Sequence, residues 1–274
     1  MEFQVNHFST LLFTKQVLSR YNVFSMLIIL SCLLFSFATY AVGKPDPSLV
    51  GYWPFDEKTG KKAEDASGNG NDGKLIDGPK WVEGKFGSAL EFGGDGSYVE
   101  VADDPSLDLT NAATVMAWFK LTDDLTNTSR MMSKNNSIFV IFDFGNKNSL
   151  DFLVKPDNDF VESKTVDWKQ EDWYHFAGSF AKGKMNIYIN GQLEGEKKNA
   201  AGIAPSDLDL WIGADDWQMP ASSFPGVIDE VRICNKALTE GEIKKLMTTP
   251  MAASKTPDKL PVTWSRLKID GVLN

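Results

Sequence analysis

The chain has 274 residues, 42% of them hydrophobic and 12% aromatic, with 22 glycines, 12 prolines and a formal net charge of −9. These values suit one β-rich globular domain with terminal appendages. The acidic balance argues against phosphate-backbone binding, which depends on clustered Lys and Arg, so nucleic acid is not an expected partner, and no nucleotide cofactor is expected either.

Lys15 and Arg20 precede an apolar run from Val23 to Phe37 that ends in the small-residue stretch Ala38 to Gly43. This is the pattern of a secretory leader, cut after Ala41 or Gly43. It predicts three segments: a signal peptide over 1–43, a domain over 44–248 and a flexible tail over 249–274. A membrane would then be reached only through an uncleaved leader, and the domain would be secreted or held at the cell surface. Cys32 leaves with the leader, so Cys234 stands alone and no intrachain disulfide can form.

The domain opens with an apolar strand over Leu49 to Asp56, where Pro54 suggests an edge or a bulge. Glu64 to Gly73 (EDASGNGNDG) follows, and it is either a polar surface turn or a loop that turns oxygens inward toward a hard cation. Ala89–Phe92 and Ser97–Val101 alternate around a Gly93–Gly96 turn and read as a hairpin. Thr114–Leu121 puts Val115, Ala117, Phe119 and Leu121 on one face and Trp118 on the other, as a core filler between two sheets. Short β runs continue through Ile138–Phe144 and Leu150–Val154. Trp173–Phe180 and Met185–Leu193 then pair across Lys182-Gly183, and Asn190-Gly191 sets a type I′ turn into a third strand. His175, the only histidine after the leader, reads as a satisfied core residue rather than a catalytic one. Leu208–Gly213 is another strand, leading into an irregular loop over Ala214–Pro220.

Phe224 to Leu238 (FPGVIDEVRICNKAL) organises the domain. Strict alternation puts Val227, Asp229, Val231 and Ile233 on one face, with an acid where apolar residues are expected. A buried carboxylate must be paired or bound to a cation, so Asp229 is the first candidate ligand. Thr239 to Glu242 has capping-box spacing and opens one short helix that Pro250 stops.

Many short strands, glycine turns and little helix predict an all-β, two-sheet antiparallel jelly-roll sandwich with one short C-terminal helix. The series YWPFDE, DASGNGNDG, GSALEFGGDGSYVEV, TVMAWFKL, WYHFAGSF, MNIYINGQL and GVIDEVRICNKALTEGEI resembles the laminin-G-like jelly roll of the concanavalin A-like lectin/glucanase superfamily over roughly Leu49 to Met247. The resemblance implies one structural calcium between the early loop and the late strand. Carried onto this sequence, its ligands are Asp65 and Asp229 by side chain, Asn69 and Asn71 as loop oxygens, and Asp56 as an addition. The alternative is that Asp229 caps turn amides.

Jelly rolls host enzymes and binders alike, so site chemistry decides. The Glu-x-Asp-x-Glu run of the superfamily's glucanases is absent, and Asp229 and Glu230 are adjacent and so expected on opposite faces. The expectation is therefore a non-catalytic module that binds a glycan or an extracellular protein. Sugar recognition uses exposed aromatics with polar neighbours. Trp217, with Asp215 and Asp216 beside it, is the first candidate, and Trp168 in Val166–Gln170 the second. The alternatives are an adhesive surface protein without lectin activity, or a glycoside hydrolase-related domain.

Overall fold

The structure, a computed structural model, describes residues 46–125, 129–142, 148–198, 202–215, 220 and 222–250, all within the second of the chain's two compact units, Pro45–Asn274. The leader, most of the tail, Asp216 and Trp217 lie outside the described residues. Among the described residues no helix is long and apolar enough to cross a membrane.

In chain order the strands are β1 (Leu49–Trp53), β2 (Lys62–Ala63), β3 (Gly73–Ile76), β4 (Lys80–Glu83), β5 (Ser88–Gly93), β6 (Tyr98–Val101), β7 (Ala112–Leu121) and β8 (Arg130–Lys134). They continue with β9 (Ile138–Phe142), β10 (Leu150–Val154), β11 (Asp159–Glu162), β12 (Tyr174–Ala181), β13 (Lys184–Ile189), β14 (Gln192–Lys198), β15 (Leu210–Ile212) and β16 (Pro225–Cys234). A helix, α1 (Glu240–Met247), closes the domain. Sheet A runs β14-β13-β12-β7-β16-β5-β4 with β1 also on β16, and sheet B runs β11-β10-β9-β8-β15-β6-β3-β2. All strand pairs are antiparallel, and the two sheets make the expected sandwich.

Residues of period two fill the space between the sheets. On β7, Val115, Ala117, Phe119 and Leu121 face this core, where they meet Phe92, Phe142, Phe152, Phe176 and Phe224. Phe119 stands edge-on to Phe142 and Phe224 with centroids 5.5 and 6.3 Å apart, a favoured arrangement for aromatic pairs. Asn190 and Gly191 both have positive φ, as a type I′ turn requires. Thr239 and Glu242 close a reciprocal capping box at the start of α1.

Two expectations fail on the other face of sheet A. Trp118 is buried but does not fill the intersheet core. Its ring lies under Phe86 and beside His175, and its Nε1 donates to the carbonyl of Met247 at the end of α1, 3.0 Å away. On β16 the register slips between Asp229 and Arg232, and Glu230 adopts φ +55°. The bulge inserts one residue, which exchanges the faces of everything beyond it. Ile228, Val231 and Ile233 therefore point into the core, while Asp229, Glu230 and Arg232 share the outer side.

That outer side is sealed by α1. The Arg232 guanidinium lies 2.5 Å from Glu230 Oε2, stacks 4.6 Å from the Tyr52 ring centre, and donates to the carbonyls of Leu246 (2.8 Å) and Thr249 (3.2 Å). Tyr52 donates its hydroxyl to the same Glu230 oxygen at 2.9 Å. A buried cation thus satisfies carbonyls at the helix C-terminus, where the unpaired acceptors and the negative end of the dipole both call for one.

Candidate functional site

The five expected calcium ligands divide between two places. Asp65 sits on the outer edge of β1 with both carboxylate oxygens occupied. Oδ1 accepts from the amides of Tyr52 (3.0 Å) and Ser67 (2.9 Å), and Oδ2 from Ser67 Oγ (2.8 Å) and the Asn71 amide (3.0 Å). Asn69 and Asn71 turn their side-chain amides onto β1, donating to the carbonyl of Val50 at 3.2 and 2.8 Å. The Asn71 carbonyl accepts from Trp53 Nε1 at 2.8 Å. The Glu64–Gly73 loop is thereby a self-capped clasp on the edge of β1. Asp65 has its donors already, so the loop needs no cation to satisfy it.

Asp229 is different. It has no exposed surface, its Oδ2 accepts from the Phe86 amide at 3.0 Å, and its Oδ1 has no hydrogen-bond partner. Burial pushes its carboxyl up to about 8, with the charge of neighbouring Glu230 acting in the same direction and the Phe86 amide opposing them. The segment facing it, Gly84 to Ser88, folds so tightly that a Cβ on Gly84 would lie 2.7 Å from Asp229 Oδ2, 2.7 Å from the Phe86 carbonyl and 2.8 Å from the Ser88 carbonyl. Those three oxygens crowd the Gly84 Cα so closely that only glycine fits there. Asp56 joins from the far side, its Oδ1 accepting from the Ser88 amide at 3.0 Å, while Ser88 Oγ donates to the Phe55 carbonyl at 2.6 Å. Phe55 and Glu230, one beside each acid, both hold φ +55°, a costly conformation for such residues. Asp229 and Asp56 thus both cap amides of the β4–β5 segment, at Phe86 and Ser88 respectively, and Asp65, Asn69 and Asn71 do not join them. Among the described residues no cluster of three or more His, Cys, Asp or Glu side chains is arranged for a metal, so a cation here would depend on carbonyl oxygens as much as on carboxylates. Calcium accepts that mixture.

A separate cleft of about 360 Å³ lies at the end of the sandwich, lined by described residues just after β7, just before β10 and before β12. Leu121, Leu125, Val166 and Trp168 supply its apolar wall; Asp123, Asp124, Asn148, Asp167 and Gln170 supply polar groups. Trp168 is clamped edge-on against Phe119, Phe142 and Tyr174, with centroids 5.0–5.6 Å apart, and its Nε1 donates to the Asn148 carbonyl at 2.7 Å. The loops are tied to one another by Gln170 Nε2 to Asp124 Oδ1 (2.9 Å) and by the Glu171 amide to the Leu121 carbonyl (2.9 Å). Such ties hold the polar groups in place before any ligand arrives.

Asp215 does not belong to this wall. It is buried against Arg130, Nε to Oδ2 at 2.5 Å, and its carbonyl accepts from Ser222 Oγ. Its carboxylate is committed to that ion pair and cannot face a ligand. His175 is buried, with its ring edge-on to Trp118 and its Nδ1 without a hydrogen-bond partner. Burial, reinforced by the charge of Arg232, holds it neutral with a pKa pushed down to about 3, unsuited to acid–base work. Residues missed by the sequence reading are Gly84, Phe86 and Ser88, which act through backbone atoms, and the Asp123–Asp124 pair, whose only local signal was its place just past a strand end.

The two antiparallel sheets define a jelly-roll sandwich domain. The laminin G-type model of the Concanavalin A-like lectin/glucanases superfamily matches residues 92–244, more than half of the chain, and the chain belongs to that superfamily. Among solved structures it is similar to domain 4 of AbnA, a GH43 extracellular arabinanase from Geobacillus stearothermophilus, in complex with arabinotriose. Identity is 22% and the TM-score 0.59, over 73% of this chain and 98% of that one. The binding domain of Paraclostridial Mosquitocidal Protein 1 is similar at 15% identity and TM-score 0.60, over 73% of this chain and 51% of that one. Trypanosoma rangeli sialidase in complex with 2,3-difluorosialic acid is similar at 16% identity and TM-score 0.56, over 74% of this chain and 33% of that one. At these identities the likeness is one of fold. No curated protein matches the chain.

Proposed function

We propose that this protein is a non-catalytic glycan-binding module, secreted or held at the cell surface, that takes its ligand in the cleft at Trp168. The observation that carries this reading is the cleft itself: a mostly polar opening lined by Asn148, Gln170, Asp124 and Asp167, with the fixed ring of Trp168 at its wall. Fixed polar groups beside an aromatic ring are the chemistry by which hydroxylated rings are held. The arabinotriose complex of the similar arabinanase domain is in keeping with it. The non-catalytic part rests on the two adjacent acids of β16. The bulge brings Asp229 and Glu230 to one side of the sheet, against the expectation of opposite faces, but each is buried and engaged, one with the β4–β5 turn and the other with Arg232 and Tyr52. Neither lines the cleft.

We also infer a structural calcium in the Asp229 cradle, held by Asp229 and the carbonyls of Phe86 and Ser88 with Asp56 alongside, in place of the Asp65–Asn71 loop. The buried, unpartnered Oδ1 of Asp229 supports this placement. Such an ion would brace β16 against the β4–β5 turn and stabilise the sandwich.

Glycan-array binding of the full chain tests the main reading. Wild type is expected to bind at least one glycan and Trp168→Ala to lose it while keeping its circular-dichroism spectrum; undiminished binding by that variant would refute the site.

A further inference from the structure

We infer that the stacked rings of Trp211 and Tyr98, on the outer face of sheet B, form a second sugar-binding platform apart from the Trp168 cleft; this rests on the glycan-binding reading above. Leu210 and Ile212 of β15 point into the core, as do Val99 and Val101 of β6, so Trp211 and Tyr98 stand on the face turned away from sheet A. Trp211 lies directly across from Glu100, which makes Tyr98 its diagonal neighbour on β6. The two rings stack with centroids 4.0 Å apart and planes 19° from parallel. Tyr98 is buried and Trp211 half-buried, and neither lines the Trp168 cleft. The solvent face of an antiparallel sheet ordinarily carries polar side chains, and here it carries a flat aromatic pair.

Unspent hydrogen-bond donors carry the argument further. Trp53, Trp81, Trp118 and Trp168 each give the indole N–H to a backbone carbonyl of the domain, those of Asn71, Gly60, Met247 and Asn148 in turn. Trp173 has the Lys120 ammonium over its ring, 5.6 Å from the centre. Trp211 has neither a cation over its ring nor a partner for its N–H among the described residues, and the Tyr98 hydroxyl has no hydrogen-bond partner there either. Ring contact alone is enough to join two strands, whereas free donors beside a flat ring are what a ligand rich in oxygen can use. Burial, with the charges of Glu100, Asp77 and Asp209 adding to it, raises the Tyr98 hydroxyl above its ordinary pKa, so it keeps its proton and can donate. Glu100, opposite Trp211, and Asp77, which follows the Tyr98 partner Ile76, supply acceptors at the rim. A sugar ring has a C–H face for the indole and hydroxyls for both kinds of group.

Affinity electrophoresis of the full chain tests this, in gels containing arabinan, xylan or mixed-linkage glucan, with Trp211→Thr, Tyr98→Phe and Trp168→Ala run beside wild type. Threonine suits a strand position, and phenylalanine keeps the stack while removing only the hydroxyl. For the polymer that retards wild type, Trp211→Thr is expected to weaken binding at least about tenfold, the ratio that about 1.4 kcal/mol produces. Tyr98→Phe is expected to weaken it severalfold, and both variants to keep the wild-type circular-dichroism spectrum. Undiminished retardation of both folded variants would overturn the platform and make the stack a strand-joining contact only; loss of binding by Trp168→Ala in the same gels would leave the cleft reading standing. Should Trp211→Thr fail to fold, Tyr98→Phe decides by the same criterion. Binding lost in Trp211→Thr and intact in Trp168→Ala would support the platform and remove the cleft. Retardation of the folded wild type by none of the polymers would remove the platform and the glycan reading together.

Discussion

Replacing Arg232 by alanine should be among the most damaging single changes in this domain, although Arg232 lies outside the main core. The side chain is 1% exposed and satisfies four groups at once: the Glu230 carboxylate, the Tyr52 ring, and the carbonyls of Leu246 and Thr249. Truncation leaves Glu230, 2% exposed, with the Tyr52 hydroxyl as its remaining side-chain partner among the described residues, and strips the C-terminus of α1 of its buried cation. Breaking a buried ion pair by removing one partner costs about 3–5 kcal/mol, because the other charge stays buried and uncompensated. For a domain of roughly 200 residues that is a fall in Tm of about 6–20 °C. Urea denaturation followed by tryptophan fluorescence gives the free energy, and the double variant Glu230→Gln/Arg232→Met serves as the control. With no orphaned charge, the double variant should be more stable than Arg232→Ala. A loss below about 1 kcal/mol for Arg232→Ala, or a double variant as unstable as the single one, would show that the cluster does not hold α1 as described.

Two further predictions bear on the buried groups nearby. Calcium should raise the Tm of the full chain and chelator should reverse it, with the shift abolished in Asp229→Ala and retained in Asp65→Ala; the opposite pattern in the two variants would return the ion to the Asp65 loop, and a melt indifferent to calcium would remove the ion altogether. Stability should also fall as pH drops from 6.5 toward 3 partly through His175: the folded state holds it neutral down to about 3, whereas the unfolded chain takes up its proton below 6.5. Within that window the contribution is lost at up to about 1.4 kcal/mol per pH unit, so His175→Phe should show a flatter pH–stability profile than wild type. Parallel profiles would show that another group governs acid sensitivity.

Much of the fold was legible because its signals are local. The alternation Val115, Ala117, Phe119, Leu121 predicts the buried face of β7, Asn190-Gly191 predicts its turn, and Thr239 with Glu242 predicts the start of α1, each from a few neighbouring residues whose backbone preferences tertiary packing does not oppose. Trp168 is singled out in the sequence as an aromatic set among polar neighbours in a loop, and it lies at the wall of the cleft. Tertiary structure decided the rest. A single extra residue at Glu230 put Val231 and Ile233 on the opposite side of β16 from Asp229, and strict alternation cannot show a bulge whose first residue is not glycine. Asp65 looked like a ligand until its four donors were in view, one of them, the Tyr52 amide, from outside the loop. The oxygens around Gly84 are largely main-chain atoms, which every residue type carries and no motif distinguishes. The cleft gathers Leu121–Leu125, Asn148 and Val166–Gln170 because three strands end on the same rim of the sandwich. Side-chain pattern determines which residues must be buried; which loops then meet is determined by strand order and register, and those are properties of the assembled sheets.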